Sequence, residues 1–181
     1  NQDNPLLLKM SQAQNLKHMI YYGTGVNTLI QGEHAPPSNK RVQANPFLAV
    51  KWQINAPSDD TTPHTAQSNL TGSYNFENIL AAICIGHFFD LTIAEINAGI
   101  EGYHPINNRS QVIKTSHNTV ICDYYNANPT SVSFALDNLA SMDALNKVII
   151  LGDMFELGNE SKKEHQIIIQ KAAQMNLNQC I

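Results

Sequence analysis

The sequence predicts an α/β fold in two parts, with a mostly parallel, Rossmann-like sheet in the second. Short apolar segments at Thr119–Cys122 and Lys147–Leu151 have the length and β-branched content of buried strands. Each runs into a polar loop and then an amphipathic stretch, the alternation that builds doubly wound sheets. Ahead of them, a strand-rich region and two consecutive helical stripes follow a different order. The change falls in the polar run His104–Arg109, which sets the expected parts at residues 1–106 and 107–181.

Taken in order, Asp3-Asn4-Pro5 supplies a capping side chain and an early proline, so a helix is expected over Leu6 to Gln14. Lys17 to Tyr22 is expected as a strand, ended by Gly23-Thr24-Gly25. The GTGVNT run does not meet the requirements of a phosphate loop, having no lysine to reach phosphates and no helical pattern behind it. Residues 33–46 and 55–64, rich in Pro, Asn, Ser and Asp, are expected as loops around a strand from Pro46-Phe47 to Ile54. Another strand is expected at Thr65 to Leu70.

Thr71-Gly72-Ser73-Tyr74 turns into a helix from Asn75 to about Phe89, with Phe76, Ile79, Leu80, Ile83 and Cys84 on one face. Thr92 and Glu95 have capping-box spacing for a helix Ile93 to Glu101, closed by Gly102. Ser110–Thr115 and Thr119–Asp123 pair as a hairpin across Ser116-His117-Asn118. Pro129 suits the first turn of a helix carrying Val132, Ala135, Leu136, Leu139 and Met142 on one side. A last helix is expected from Ser161 to Met175, with Ser161 as N-cap and Glu164 completing a capping box. Gln179-Cys180-Ile181 looks like the opening of a strand. With Asn rather than Met at position 1, the chain is expected to be an internal piece of a longer one.

The totals narrow the function. At 181 residues, 43% apolar and 14% charged, the chain can bury a useful core. A net charge of −4 without a basic stripe argues against a nucleic-acid partner. The three cysteines, Cys84, Cys122 and Cys180, sit singly in apolar runs without metal spacing, as buried thiols of a reducing compartment would. No apolar run is long enough to span a bilayer, and no metal-ligand set is expected within the chain.

Chemistry concentrates at the strand-to-helix loops, where α/β sheets meet their ligands. In Cys122-Asp123-Tyr124-Tyr125-Asn126-Ala127-Asn128-Pro129-Thr130-Ser131, Asp123 can accept from a sugar diol, and Asn126 and Asn128 both donate and accept. An Asx-type turn with Asn128 as N-cap is the structural alternative. In Gly152-Asp153-Met154-Phe155-Glu156-Leu157-Gly158, Asp153 and Glu156 can bind a cation or an ammonium group. Both loops should open at one sheet edge, onto one crevice. Asn75 and Asn78, one helical turn apart, can pair with adenine through a carboxamide, although Asn75 alone also reads as an N-cap. Arg109 can bridge to phosphate from the linker, or stand exposed without a role, and His165 is a lone histidine of surface or packing type.

Together these pieces resemble the Mur ligases of peptidoglycan synthesis, and within them the branch that adds D-alanyl-D-alanine. The matching elements, in order, are Asn1-Gln2-Asp3-Asn4-Pro5, Tyr74-Asn75-Phe76-Glu77-Asn78-Ile79-Leu80-Ala81-Ala82, Asn108-Arg109 and Asp123 through Ser131. Gly152 through Gly158 follows, with Ser161 and His165. The resemblance implies the end of a central ATP-binding domain over residues 1–106 and the start of the Rossmann-like ligase domain over 107–181. It implies that Asn75 and Asn78 hold adenine, that Arg109 contacts phosphate and that Asp123 accepts from ribose. Tyr125 and Asn126 would line the nucleotide side, and Asp153 and Glu156 the dipeptide side. Two lobes joined near Arg109 would thus pinch one adenosine nucleotide. The implied reaction uses ATP and Mg2+ to phosphorylate the carboxylate of a UDP-N-acetylmuramoyl-tripeptide, and the amine of D-alanyl-D-alanine attacks the acyl phosphate. The implied setting is a cytoplasmic monomer, acting in cell-wall biogenesis and thereby in cell shape, cell division and the cell cycle.

The sequence departs from the family in lacking the G-T-x-G-K-T phosphate loop, the acidic and histidine magnesium ligands and the carbamylated lysine. Asp3-Asn4 replaces paired aspartates. No catalytic residue is assigned within the chain, which is expected to be inactive alone. A sister ligase adding another amino acid, and a free-standing α/β nucleotide-binding module, are the alternatives.

Overall fold

A computed structural model describes residues 1–14, 16–35, 46–56 and 62–181. They fall into two compact units, one made mainly of residues up to 103 and the other mainly of residues 104–181. The parts of the expected loops at 36–45 and 57–61 lie outside the described residues.

The first unit opens with α1 (Pro5–Ala13), whose N-cap Asn4 accepts from the backbone N–H groups of Leu6 and Leu7. A four-stranded sheet follows, in the order β1 (Tyr22–Gly23), β2 (Ile30–His34), β3 (Phe47–Ile54) and β4 (His64–Thr71). Only Tyr22 of the strand expected over Lys17–Tyr22 is in β1, which runs on to Gly23. The Tyr22 carbonyl accepts from Gln2 N–H at 2.9 Å, and the Tyr21 carbonyl accepts from Leu29 N–H at 2.9 Å. β2 occupies residues expected partly as loop. It pairs antiparallel with β3 from Ile30↔Ile54 to His34↔Val50, burying Ile30 and Gly32 while Gln31, Glu33 and His34 stay more accessible.

Above the sheet lie α2 (Asn75–Phe88) and α3 (Ile93–Gly102). The apolar stripe of α2 is buried as its spacing requires: Phe76, Ile79, Leu80, Ile83 and Cys84 all sit in the core with Ile30, Val50, Trp52 and Ala66. The fit is close at Gly32, where an added Cβ would run into the Leu80 methyls. Trp52 donates its indole N–H to Asn97 Oδ1 at 3.0 Å, fastening α3 to the sheet. Burial pushes the Cys84 thiol above its ordinary pKa, so it stays a protonated core side chain.

The capping box at α3 forms as expected. Thr92 Oγ1 accepts from Glu95 N–H, and Glu95 Oε2 accepts from Thr92 N–H at 2.9 Å and from the Thr92 hydroxyl at 2.7 Å. The Thr92 hydroxyl, with its N–H second, holds the Glu95 carboxyl below its ordinary pKa. A group depressed in the folded state contributes stability above its unfolded pKa and loses it as pH falls through the folded value. We therefore expect α3 to weaken on acidification through the ordinary glutamate range, about pH 4.3, and below. Glu95→Gln should remove that part of the pH dependence, read from urea midpoints on either side of the window.

The second unit begins with an antiparallel hairpin of β5 (Gln111–Lys114) and β6 (Thr119–Cys122), in the register Gln111↔Cys122 to Lys114↔Thr119. Its turn is the expected one, with Thr115 Oγ1 accepting from His117 and Asn118 N–H. β6 is not buried throughout: Thr119 and Val120 are exposed and Cys122 alone is fully covered. Next come α4 (Pro129–Ser141), β7 (Val148–Ile149), a 3-10 turn at Gly158–Glu160, α5 (Ser161–Ala173) and β8 (Gln179–Cys180).

The α/β class stands. β7 and β8 pair in parallel with α5 as their crossover, and β8 forms where a strand was expected to open. β7 is shorter than Lys147–Leu151, with Val148 and Ile150 exposed, since β8 is its only hydrogen-bonded neighbour among the described residues. β6 and β7 belong to different sheets.

The core of this unit is Leu136, Ile149, Met154, Ile168 and Ala172, with Ala127, Val132, Leu139 and Leu157 against it. Lys171 adds a tie between helices, donating to Ser133 O and Oγ and to Asp137 Oδ2 at 2.7 Å.

Candidate functional site

In the first unit, Asn75 is the first residue of α2 and is buried, whereas Asn78 is exposed. Asn75 is not the N-cap: that position is Tyr74, in helical conformation and with no capping side-chain bond. The two amides are joined instead, Asn78 Nδ2–H donating to Asn75 Oδ1 at 3.0 Å. This bond fixes the plane of the outer amide. It uses one of its two N–H groups, leaving a second N–H and the carbonyl oxygen, the donor–acceptor pair that an adenine edge requires. Behind them Phe76 stacks on His34, centroids 4.3 Å apart.

The GTGVNT run is not a phosphate cradle. Thr24 N–H donates to Asp3 Oδ2 at 2.7 Å, so a carboxylate of the chain already sits where an anion would bind, and Thr28 Oγ1 donates to Gly25 O.

In the second unit, Arg109, Asp123 and Tyr125 come together. Asn108 and Ser110 flank Arg109 and both lie in the left-handed region, at φ 57° and 52°. Such residues persist only where their surroundings over-determine them, and here they do. The Asn108 carbonyl accepts from Tyr124 and Tyr125 N–H at 3.1 and 3.3 Å, and buried Ser110 donates its N–H to Asp123 Oδ1 at 3.0 Å. The linker is thus stitched to the loop after β6. Arg109 lies over the Tyr125 ring, its Cζ 3.9 Å from the centroid. Stacking occupies the face of the guanidinium and leaves its in-plane N–H fork to carboxylate or phosphate oxygens.

The rest of that loop is structural. Ala127 packs on the core, and Asn128 is the N-cap of α4 in a reciprocal box with Ser131, so the Asx-turn reading holds at this position. Tyr125 and Asn126 remain exposed.

The second loop is built in the same way. Met154 and Leu157 anchor it in the core, while Asp153, Phe155 and Glu156 are exposed. Glu156 adopts φ 64° and Gly158 φ 53°, reversing the chain into the 3-10 turn. Ser161 is not an N-cap. The 3-10 turn supplies a helical residue before it, and Ser161 is itself helical at φ −50°, ψ −51°. The two loops do not share a sheet edge, but they share a core: Ala127 from one and Met154 and Leu157 from the other enter the same cluster.

Sequence reasoning missed two features. Ser110, whose buried N–H orients Asp123, carried no signal beyond adjacency to Arg109. His165, left as a lone histidine, lies 2.8 Å from Asp153 Oδ1 through Nε2. Its position on the first turn after the loop, and its place among the residues that carry the family resemblance, were the hints.

Among the described residues no group of three or more His, Cys, Asp or Glu is placed to hold a metal ion. No helix among them is long and apolar enough to cross a membrane.

Residues 108–179 match the family model of the Mur ligase, glutamate ligase domain. The chain is 39% identical over 104 residues to a UDP-N-acetylmuramoyl-tripeptide–D-alanyl-D-alanine ligase of Treponema pallidum, covering 58% of this chain and 22% of that one. It is 31% identical over 183 residues to the protein of that name from Buchnera aphidicola, covering 99% of this chain and 36% of that one. Among solved structures, the MurF ligase from Thermotoga maritima in complex with ADP superposes with a TM-score of 0.73 at 16% identity, covering 96% of this chain and 37% of that one, which speaks to the fold. The matches thus cover 22% to 37% of the length of these relatives.

Proposed function

Starting from a chain similar to Mur ligases along its length, we propose that it is part of an ATP-dependent ligase of peptidoglycan precursor synthesis. The intact protein would join D-alanyl-D-alanine to UDP-N-acetylmuramoyl-tripeptide. The observation that carries this reading is the Arg109–Tyr125–Asp123 cluster, built on two left-handed residues and closed by the Ser110–Asp123 hydrogen bond. It combines a cation presenting its N–H edge with a carboxylate held at a strand tip, the two groups that a nucleotide's phosphate and ribose require.

In this reading the substrate carboxylate attacks the terminal phosphate of ATP and ADP leaves. The dipeptide amine then attacks the acyl phosphate and inorganic phosphate departs. Residues 1–106 form the end of the ATP-binding domain and residues 107–181 the start of the ligase domain. Asn75 and Asn78 hold adenine; Arg109 neutralises phosphate charge, with Tyr125 fixing its plane. Asp123, oriented by the Ser110 N–H, accepts from the ribose hydroxyls. Asn126 lines the nucleotide, and Asp153 and Glu156 face the incoming ammonium end of the dipeptide. Mg2+ bound by residues outside this chain and a cytoplasmic, monomeric parent active in cell-wall biogenesis, cell shape and cell division belong to the same proposal. Lacking a phosphate loop, the 181-residue chain is expected to hydrolyse no ATP by itself.

The test is an amine-donor swap with the intact protein, following phosphate release with UDP-N-acetylmuramoyl-tripeptide and ATP. D-alanyl-D-alanine should support turnover, and single amino acids should fall short by two or more orders of magnitude, as expected where a site's buried polar groups go unpaired. Turnover with a single amino acid and none with the dipeptide would transfer the chain to a sister ligase. ATP hydrolysis by the 181-residue chain would overturn the division of labour.

A further inference from the structure

His165 sits on the first turn of α5, partly buried, with both ring nitrogens engaged. Nδ1 lies 2.8 Å from the Ser161 carbonyl oxygen, and a carbonyl only accepts, so Nδ1 carries a hydrogen. The Ser161 hydroxyl stands further off, at 3.3 Å from the same nitrogen. On the opposite edge, Nε2 lies 2.8 Å from Asp153 Oδ1 and accepts from Met154 N–H at 3.1 Å. Nε2 has one in-plane direction. With a proton it donates to the Asp153 carboxylate, and without one it accepts from the next residue's amide. In either state the ring grips the same two-residue segment.

We propose that His165 is a positioning residue for Asp153. The ring clasps the loop to the start of α5 and commits one carboxylate oxygen, while Oδ2, which has no partner among the described residues, is presented to a cationic ligand. The other end of the clasp is the Met154 side chain, buried at 4% exposure between Leu136, Ile149 and Ile168. Held at its core side by Met154 and at its backbone by His165, the loop can turn Asp153 only outward. The charge calls for a cation, and the reaction proposed above supplies one as the primary ammonium of the dipeptide. The inference rests on that reading for its ligand but not for the clasp itself.

Nitrogen-15 NMR of the 181-residue chain tests the clasp. His165 should show a protonated Nδ1, and the Met154 amide should exchange slowly with solvent. His165→Ala should speed that exchange about tenfold or more, the loss of one buried hydrogen bond. His165→Gln, whose side-chain oxygen can restore an acceptor near the Nε2 position, should recover much of the protection. His165→Asn, which can replace only the Nδ1 donor, should not. An unprotonated Nδ1, or equal exchange in all three variants, would reduce His165 to a packing residue and overturn the proposal.

In the intact ligase, His165→Ala should raise KM for the dipeptide about tenfold while leaving KM for ATP unchanged. Equal effects on both, or on neither, would overturn the positioning role. A wild-type protein that ligates no dipeptide would instead sink the functional reading, with the NMR signature still deciding the clasp.

Discussion

Replacing Trp52 by alanine is expected to destabilise the first unit by about 3–5 kcal/mol, the range for removing a buried aromatic side chain. Trp52 is 1% exposed on β3 and touches every layer of its unit. Its backbone pairs with Gly32, its ring lies 5.3 Å from that of His64, and its indole N–H reaches Asn97 on α3. The substitution removes the packing and the hydrogen bond together. Trp52→Phe separates them: it keeps most of the apolar volume but leaves Asn97 Oδ1 without its donor, so a smaller cost of about 1–2 kcal/mol is expected. Urea unfolding followed by circular dichroism measures both, and the sole tryptophan gives the parent chain a fluorescence reporter in the same experiment. Equal midpoints for all three chains would mean that this core does not hold the unit together.

The second large effect is expected at Asp123. Alanine there removes the acceptor for Ser110 N–H, and Ser110 is 4% exposed, so a buried donor is left unsatisfied at about 1–3 kcal/mol. The left-handed turn at Asn108–Ser110 loses one of the contacts that hold it, and the stack of Arg109 on Tyr125 should loosen with it. Asp123→Asn keeps an oxygen in the same place for Ser110 while removing the charge that a ribose diol would meet. In the intact ligase both variants should therefore raise KM for ATP, by tenfold or more on the order of a lost charge-assisted hydrogen bond. Only the alanine variant should also lower the urea midpoint. If the asparagine variant used ATP like the parent, Asp123 would be a structural residue of the Asn108–Ser110 turn and nothing more.

The helices were legible because their information is local. The stripe from Phe76 to Cys84, the Thr92–Glu95 box and the Asn128 cap each need only residues within a turn or two, and all of them form. Strands depend on partners far along the chain. β2 was partly missed because its outward residues are Gln31, Glu33 and His34 and its inward ones include Gly32, whose missing side chain makes room for Leu80. β1 keeps only Tyr22 of its expected run, and β7 is shorter than its apolar run with β8 as its one hydrogen-bonded neighbour among the described residues. The site divides along the same line. Arg109 and Asp123 could be singled out as candidates from residue type and loop position, and Tyr125 only through the family resemblance. That Arg109 stacks on Tyr125 and that Ser110 holds Asp123 could not be foreseen, because the turn that does both runs through two left-handed residues with no glycine to announce them. Ser161 misled for the opposite reason: serine and glutamate at capping-box spacing describe a cap only if no helical turn precedes them, and Gly158–Glu160 is one.

The claim on which the account turns is that these loops and amides meet an adenosine nucleotide. An ADP titration of the 181-residue chain, followed by amide NMR up to millimolar nucleotide, tests it directly. The account predicts saturable shifts at Asn75, Asn78 and the segments 108–110 and 123–126, and their loss at 108–110 and 123–126 in Asp123→Ala. Shifts confined to the Gly23–Thr28 loop, or none at any of these positions, would contradict it.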